Sequence, residues 1–269
     1  APHRRTPNCQ PARSPRYRIR TFTNYTFAGP VFGMDAAPNG NLWVADAGAG
    51  IVELSRGSGA GTLVASLPGV SDVSAINKNA MFAVTGAPDR KLYLVSTDGT
   101  VQEIADLGAY EDSVNPDGIE PPDSNPYDVE ALDANTALVA DAGGNDLLIV
   151  DMAGNIDWIA TLPLEIVSTA NIKSLAGCPT PLVPDLAFAC GLPDTMPTEP
   201  VATSVAIGPD GAYYVSELKG FPFPTGESRI WRIESGARHA ECGTSDQCSI
   251  VADGFTSIVD LAFGSNGTL

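Results

Sequence analysis

Histidine is almost missing from this chain: His3 and His239 are the only two in 269 residues. Acid–base catalysis centred on an imidazole therefore has almost no candidates. No apolar run approaches the ~20 residues of a membrane helix. No CxxC spacing occurs, so zinc and thioredoxin-type centres lack a sequence basis. GxSxG, Walker and dinucleotide-binding patterns are missing as well, and the glycines fall in short turns instead. Helical periodicity is scarce; Ser168 to Leu175 offers one short helical turn at most. No signal peptide is visible. The chain opens on Ala1-Pro2 without Met, which fits a leader already removed.

Acids, turns and small residues are abundant. Gly (27) and Pro (22) make up about 18% of the chain, above the average sum of roughly 12% and below the roughly 25–30% of disordered segments. The net charge is −17, unevenly spread. Six of fifteen basic residues (Arg4, Arg5, Arg13, Arg16, Arg18 and Arg20) precede the first acid, Asp35. Residues 1–34 carry +6, whereas the remainder sets nine basic against thirty-two acidic residues, −23. Such a body repels phosphates, which makes nucleic acid a poor partner. The simplest partner of the basic arm is an acidic body, its own or a neighbour's.

Four of the five cysteines form two locally spaced pairs in Gly/Pro-rich loops. Disulfides Cys178–Cys190 and Cys242–Cys248 are expected, hence an oxidising compartment and a secreted or cell-surface protein. The alternative is four unpaired loop thiols. Cys9 is left over in the arm, available for an intermolecular disulfide. Two N-glycosylation sequons stand at Asn24 and Asn266.

The stretch Asn125 to Leu162 (NPYDVEALDANTALVADAGGNDLLIVDMAGNIDWIATL) shows the organisation. Apolar residues alternate with the period of a half-buried strand, and DAN, AGGN and AGN supply turns that tolerate positive φ. Four antiparallel strands in about forty residues is the size of one propeller blade. The pattern recurs in GMDAAPNGNLWVADAG (33–48), VSAINKNAMFAVTGA (73–87), VEALDANTALVADAG (129–143), SVAIGPDGAYYVSEL (204–218) and DLAFGSNGTL (260–269). Each joins two apolar strands through an NG, DG or Asn-bearing turn, a strong hairpin signal. Outer strands follow at 50–54, 91–95, 100–105, 147–151 and 228–233. The expected fold is all-β, a β-propeller on a six-bladed plan with four complete blades and a partial one. Residues 1–20 form a basic Pro/Arg-rich arm and 21–269 the propeller, interrupted by insertions 108–123 and 163–200. The last unit stops early. Three explanations compete: a chain that continues past Leu269, closure of the ring by Tyr17–Thr23, or a strand donated by another subunit.

AAPNGNLWVADAG, the 105–129 run ADLGAYED…NPDG…DSNPYDV, VADAGGNDLLIV (139–150), ATSVAIGPDGAYYVSELKGFPFPTGESRIWRI (202–233) and GFTSIVDLAFGSNGTL (254–269) resemble the ScyD/ScyE family of secreted, NHL-like β-propellers. The resemblance spans residues 30–269. It implies a propeller, commonly six-bladed, and no established reaction. The arm with Cys9 lies outside it.

In a propeller the inner strands line a channel, and the loops leading into them crowd one face. Asp72, Asn125, Asp128, Thr203, Ser204 and Asp260 stand near inner-strand starts. Oxygens of Asn125, Asp128 and Asp260 converging on an axis would suit Ca²⁺. A Ca²⁺-dependent lactonase or esterase of the six-bladed type is thus the alternative to a non-catalytic scaffold. Against it, Gly33-Met34 stands where the first blade would need a Glu. Asp141 and Asp146 around the GGND turn form a second candidate cation pair, although the full EF-hand pattern is missing. GFPFPTGES (220–228) sets Phe221 and Phe223 in one loop, either an exposed rim for a partner or a plug packed on Trp231. The favoured reading is an extracellular, glycosylated binding or structural scaffold. Its partners would be its own copies, another extracellular protein or a glycan. It would assemble head-to-tail into filaments through arm and open blade.

Overall fold

A computed structural model of the chain describes residues 25–269. The arm, Cys9, Asn24 and the expected closing strand at 17–23 lie outside the described residues.

The molecule is a β-propeller-like array of four antiparallel four-stranded blades, each wound from inner to outer strand. Blade 1 contains β1 (Val31–Ala36), β2 (Leu42–Asp46), β3 (Gly50–Leu54) and β4 (Gly61–Ser66). Blade 2 contains β5 (Val70–Asn77), β6 (Ala80–Thr85), β7 (Lys91–Ser96) and β8 (Val101–Asp106). After α1 (Leu107–Val114), blade 3 runs through β9 (Pro126–Asp133), β10 (Thr136–Asp141), β11 (Asp146–Asp151) and β12 (Ile156–Thr161). The second insertion holds β13 (Glu165–Ser168), α2 (Ala170–Ala176), a 3₁₀ segment (Pro184–Gly191) and β14 (Thr195–Thr198). Blade 4 follows as β15 (Ala202–Ile207), β16 (Tyr213–Glu217), β17 (Ser228–Ile233) and β19 (Cys248–Phe255). The short β18 (Ala240–Glu241) leaves blade 4 and pairs in parallel with β12 of blade 3.

The hairpins arise where Gly or Asn supplies the turn. Gly40 and Gly211 have φ near +80° and close the β1–β2 and β15–β16 turns by donating to the carbonyls of Ala37 and Gly208. Strand periodicity then sends successive side chains to opposite blade faces. Met81 and Ala83 of β6 pack with Trp43 and Ile51 of blade 1, whereas Phe82 and Val84 pack with Val129 and Val139 of blade 3. Leu138 and Ala140 likewise meet Val215 and Trp231 of blade 4. Both faces of a middle blade are therefore buried, which is why its strands read as near-continuous apolar runs.

Three expectations need correction. The first insertion contains an eight-residue helix, capped by the Asp106 carboxylate on the Ala109 N–H, and the second contains a seven-residue helix rather than a single turn. Residues 260–269 form no second strand. Their SNG turn closes through the Gly264 N–H on the Thr268 carbonyl. Among the described residues four blades are present; beyond them 256–269 form no strand, although the Ile258 carbonyl and the Leu261 N–H keep the inner-strand bonds to Thr203 and Ser204.

Candidate functional site

Inner strands of neighbouring blades splay apart, so their backbone groups need side-chain partners. Aligning the blades on Gly33, Asp72, Asp128, Ser204 and Asp260 shows how these are supplied. The Asp72 carboxylate accepts from the Val129 N–H (3.0 Å), the Asp128 carboxylate from the Val205 N–H (2.7 Å), and the Ser204 hydroxyl from the Leu261 N–H (3.1 Å). Each reaches one position further along the next blade. Two residues on, Asp35 accepts from Ala75 N–H (2.7 Å) and Ser74 from Ala131 N–H (2.9 Å). One residue before, the Ser71 and Thr203 hydroxyls donate to the Pro126 and Ile258 carbonyls, both at 2.9 Å. Gly33 breaks the series for a steric reason: a Cβ there would fall 1.8 Å from Oδ1 of Asp72.

These strands enclose an axial hollow of about 310 Å³, rimmed by Phe32 and Tyr127, whose rings lie 6.3 Å apart. Among the described residues its lining includes Asp35, Asp72, Asp128, Glu130 and Asp260 and no basic residue. Burial and the neighbouring Asp128 push the Asp72 carboxyl well above its ordinary value. Burial with Asp128 and Asp35 raises Glu130 to about 7. Asp260 is raised by burial and Asp128.

The candidate residues divide between two places. Asp128 and Asp260 border the channel. Asn125 does not; its Oδ1 accepts from the Ala87 N–H and its own N–H reaches Asp141. Asp141 sits at the blade-3 turn, saturated by Ser124 Oγ and by the N–H groups of Asn125, Gly143 and Gly144. Asp46 repeats this in blade 1, accepting from Ala28, Gly29 and Gly48. The Asp of the recurrent ADAG motif thus ties the turn to its lead-in loop in blades 1 and 3. Asp146, five residues after Asp141, is fully buried and neither of its oxygens has a donor. Among the described residues, no three His, Cys, Asp or Glu side chains are grouped to hold one metal ion.

Both expected disulfides form. Phe221 is half-buried against Phe188 and Phe223 in a small lobe core with Ile172 and Ala189, not on Trp231, which lies between blades 3 and 4. Phe223 is 53% exposed, Phe188 55% and Leu182 81%. Asn266 is exposed in its turn. His239 stacks on Trp158 and meets Asp157 at 2.7 Å, latching the β18 loop to blade 3.

The fold is that of known structures. Over 85% of this chain and 67% of the other, a chain of a nidogen/laminin complex is similar at TM-score 0.51 and 9% identity. A Bacteroides thetaiotaomicron protein of unknown function is similar at TM-score 0.50 and 12% identity, over 83% of this chain and 44% of that one. The extracellular domain of a B. thetaiotaomicron hybrid two-component system is similar at TM-score 0.51 and 10% identity, over 92% and 26%. The chain thus spans between about a quarter and two thirds of their lengths. No protein-family profile matches it. No curated protein matches it by sequence.

Sequence reasoning missed three groups. Glu111 on α1 faces the blade-3 turn, next to Gly144. Lys219, 3% exposed, pairs with Glu217 (2.9 Å) and Glu165 (2.7 Å), and Glu165 also pairs with Arg229. Glu217 occupies the strand position that Asp46 and Asp141 hold in other blades, which was a usable signal. Glu165 lies 64 residues from Arg229, and nothing local announces it.

Proposed function

We propose that this chain is a non-catalytic, extracellular binding scaffold. One observation carries the reading: three of the five channel acids are committed to fastening one blade to the next, while apolar side chains are left on the outside. Asp35, Asp72 and Asp128 each commit an oxygen to a backbone N–H of the following blade. The hydrolase alternative needs such oxygens for a metal. Exposed apolar groups cluster on the disulfide-braced lobe, at Leu182, Phe188 and Phe223. Surfaces of this kind mark protein contacts. The similar folds include a chain of a nidogen/laminin complex, which accords with a partner-binding role. Two disulfides and exposed Asn266 favour an oxidising, extracellular setting. The motifs quoted above, similar to those of the ScyD/ScyE propellers, accord with this reading.

The finer form of the proposal is head-to-tail assembly, the basic arm of one copy docking on the acidic body and open blade of the next. Sedimentation of the full chain should show concentration-dependent assembly that weakens with salt, and deletion of residues 1–20 should abolish it. Assembly that persists without the arm, or a monomer at high concentration, defeats this form. A lactone and ester panel, run before and after chelation, tests the scaffold reading itself. Metal-dependent turnover would overturn it.

A further inference from the structure

The blade-3 turn buries two acids in very different conditions. Asp141 receives four donors, whereas Asp146, at the start of β11, receives none on either oxygen. Facing it, Glu111 of α1 is 1% exposed, and its Oε1 is also without a donor. The two side chains crowd one point: a Cβ on Gly144 would lie 3.2 Å from Oε2 of Glu111 and 3.5 Å from Cγ of Asp146. A fourth buried oxygen without a donor, Oδ1 of Asn115, ends the same helix one turn after Glu111. The charges acting on Glu111 and Asp146 come chiefly from Asp141, Asp117 and other acids.

Buried carboxylates without donors or cations are unstable as anions. A proton would supply one donor for three carboxylate oxygens. A divalent cation satisfies all of them. The donors are hard oxygens without nitrogen or sulfur, which selects Ca²⁺ or Mg²⁺ over zinc or copper. Two carboxylates, not three, are offered, so neutral oxygens must complete the shell, and Ca²⁺ tolerates such irregular sets better than Mg²⁺.

We propose that Glu111 and Asp146 hold a Ca²⁺ ion that pins helix α1 of the first insertion to the blade-3 turn. This site is separate from the axial channel and independent of the scaffold's partner surfaces.

The test uses the full chain, stripped with chelator and titrated with CaCl₂ or MgCl₂ at pH 8, with metal content and melting temperature read together. One Ca²⁺ per chain is expected, with a Tm rise of roughly 5–10 °C at a hundredfold excess over Kd. Asp146→Asn and Glu111→Gln should each weaken binding at least about tenfold, yet melt no lower than the parent in chelator, because an unpaired buried charge is gone. If Asp146→Asn does not fold, Glu111→Gln carries the same readout. Absence of bound ion and Tm shift overturns the proposal. A shift unchanged in both variants does so too, by placing the ion elsewhere. A larger response to Mg²⁺ overturns the Ca²⁺ assignment.

Discussion

Ser74 shows what a single inner-strand side chain does. It is 3% exposed, and its hydroxyl accepts the Ala131 N–H of the next blade. Ser74→Ala removes that acceptor without altering the strand, leaving a buried N–H unpaired. The expected loss is about 1–3 kcal/mol, seen as a lower urea midpoint at unchanged slope. An unshifted midpoint would mean that the blade-to-blade bonds add nothing. Asp72 should behave differently. Asp72→Asn retains an acceptor for the Val129 N–H while removing a carboxyl whose ionisation burial and Asp128 disfavour. That variant should be neutral at pH 5 and stabilised at pH 8. A loss at pH 8 as large as that of Ser74→Ala would show that the carboxylate itself is needed.

At the scale of elements, the second insertion is held to blade 4 by charge. The β13–β14 hairpin presents Glu165 to Lys219 and Arg229, while Lys219 also pairs with Glu217, which accepts from the Trp231 indole. Burial would raise Glu165, but its two basic partners outweigh burial and hold it below its ordinary value. Lys219→Ala leaves the buried Glu217 carboxylate without its cation and Glu165 with Arg229 alone, and removing one partner of a buried pair costs about 3–5 kcal/mol. Amide exchange should then rise in β13 and β14 before it rises in β15; uniform exchange across both would refute this local anchoring. Glu217 was readable from its place in the blade repeat, but the pairing of Glu165 with Lys219 and Arg229 was not, because those residues come from segments far apart in the chain. The hairpins were readable, since NG, DG and DAN turns act locally. Helix α1 was obscured by its Gly108 and by too few apolar positions in its eight residues. The recurrent ADAG motif was visible, but its role as a clamp on the preceding loop needed Ala28 and Ser124 brought beside Asp46 and Asp141. Asp146 looked like an ordinary turn residue until its surroundings were seen to offer no donor.

For the molecule as a whole, acids dominate the response to pH. Glu130 is raised to about 7 by burial beside Asp128 and Asp35, and Asp72, Glu217 and Asp260 are raised chiefly by burial. A carboxyl with a raised folded pKa binds its proton more tightly in the native state. Its contribution is full below the unfolded value near 4.5 and is lost as pH climbs through the folded value. Glu165, held low, has the opposite sign, its contribution fading only as pH falls through its folded value. Exposed acids with lowered values, Asp98, Asp151 and Asp210, are screened by water and add little. The raised groups are more numerous and more buried, so in chelator the chain should melt higher at pH 5 than at pH 8. Self-repulsion from a net charge of −17 pushes the same way, but salt screens it. Melts at low and high NaCl therefore separate the two. The buried part should persist in high salt and shrink in Glu130→Gln. A melting temperature that stays flat or rises from pH 5 to pH 8 in high salt would show that the channel acids do not set the pH response.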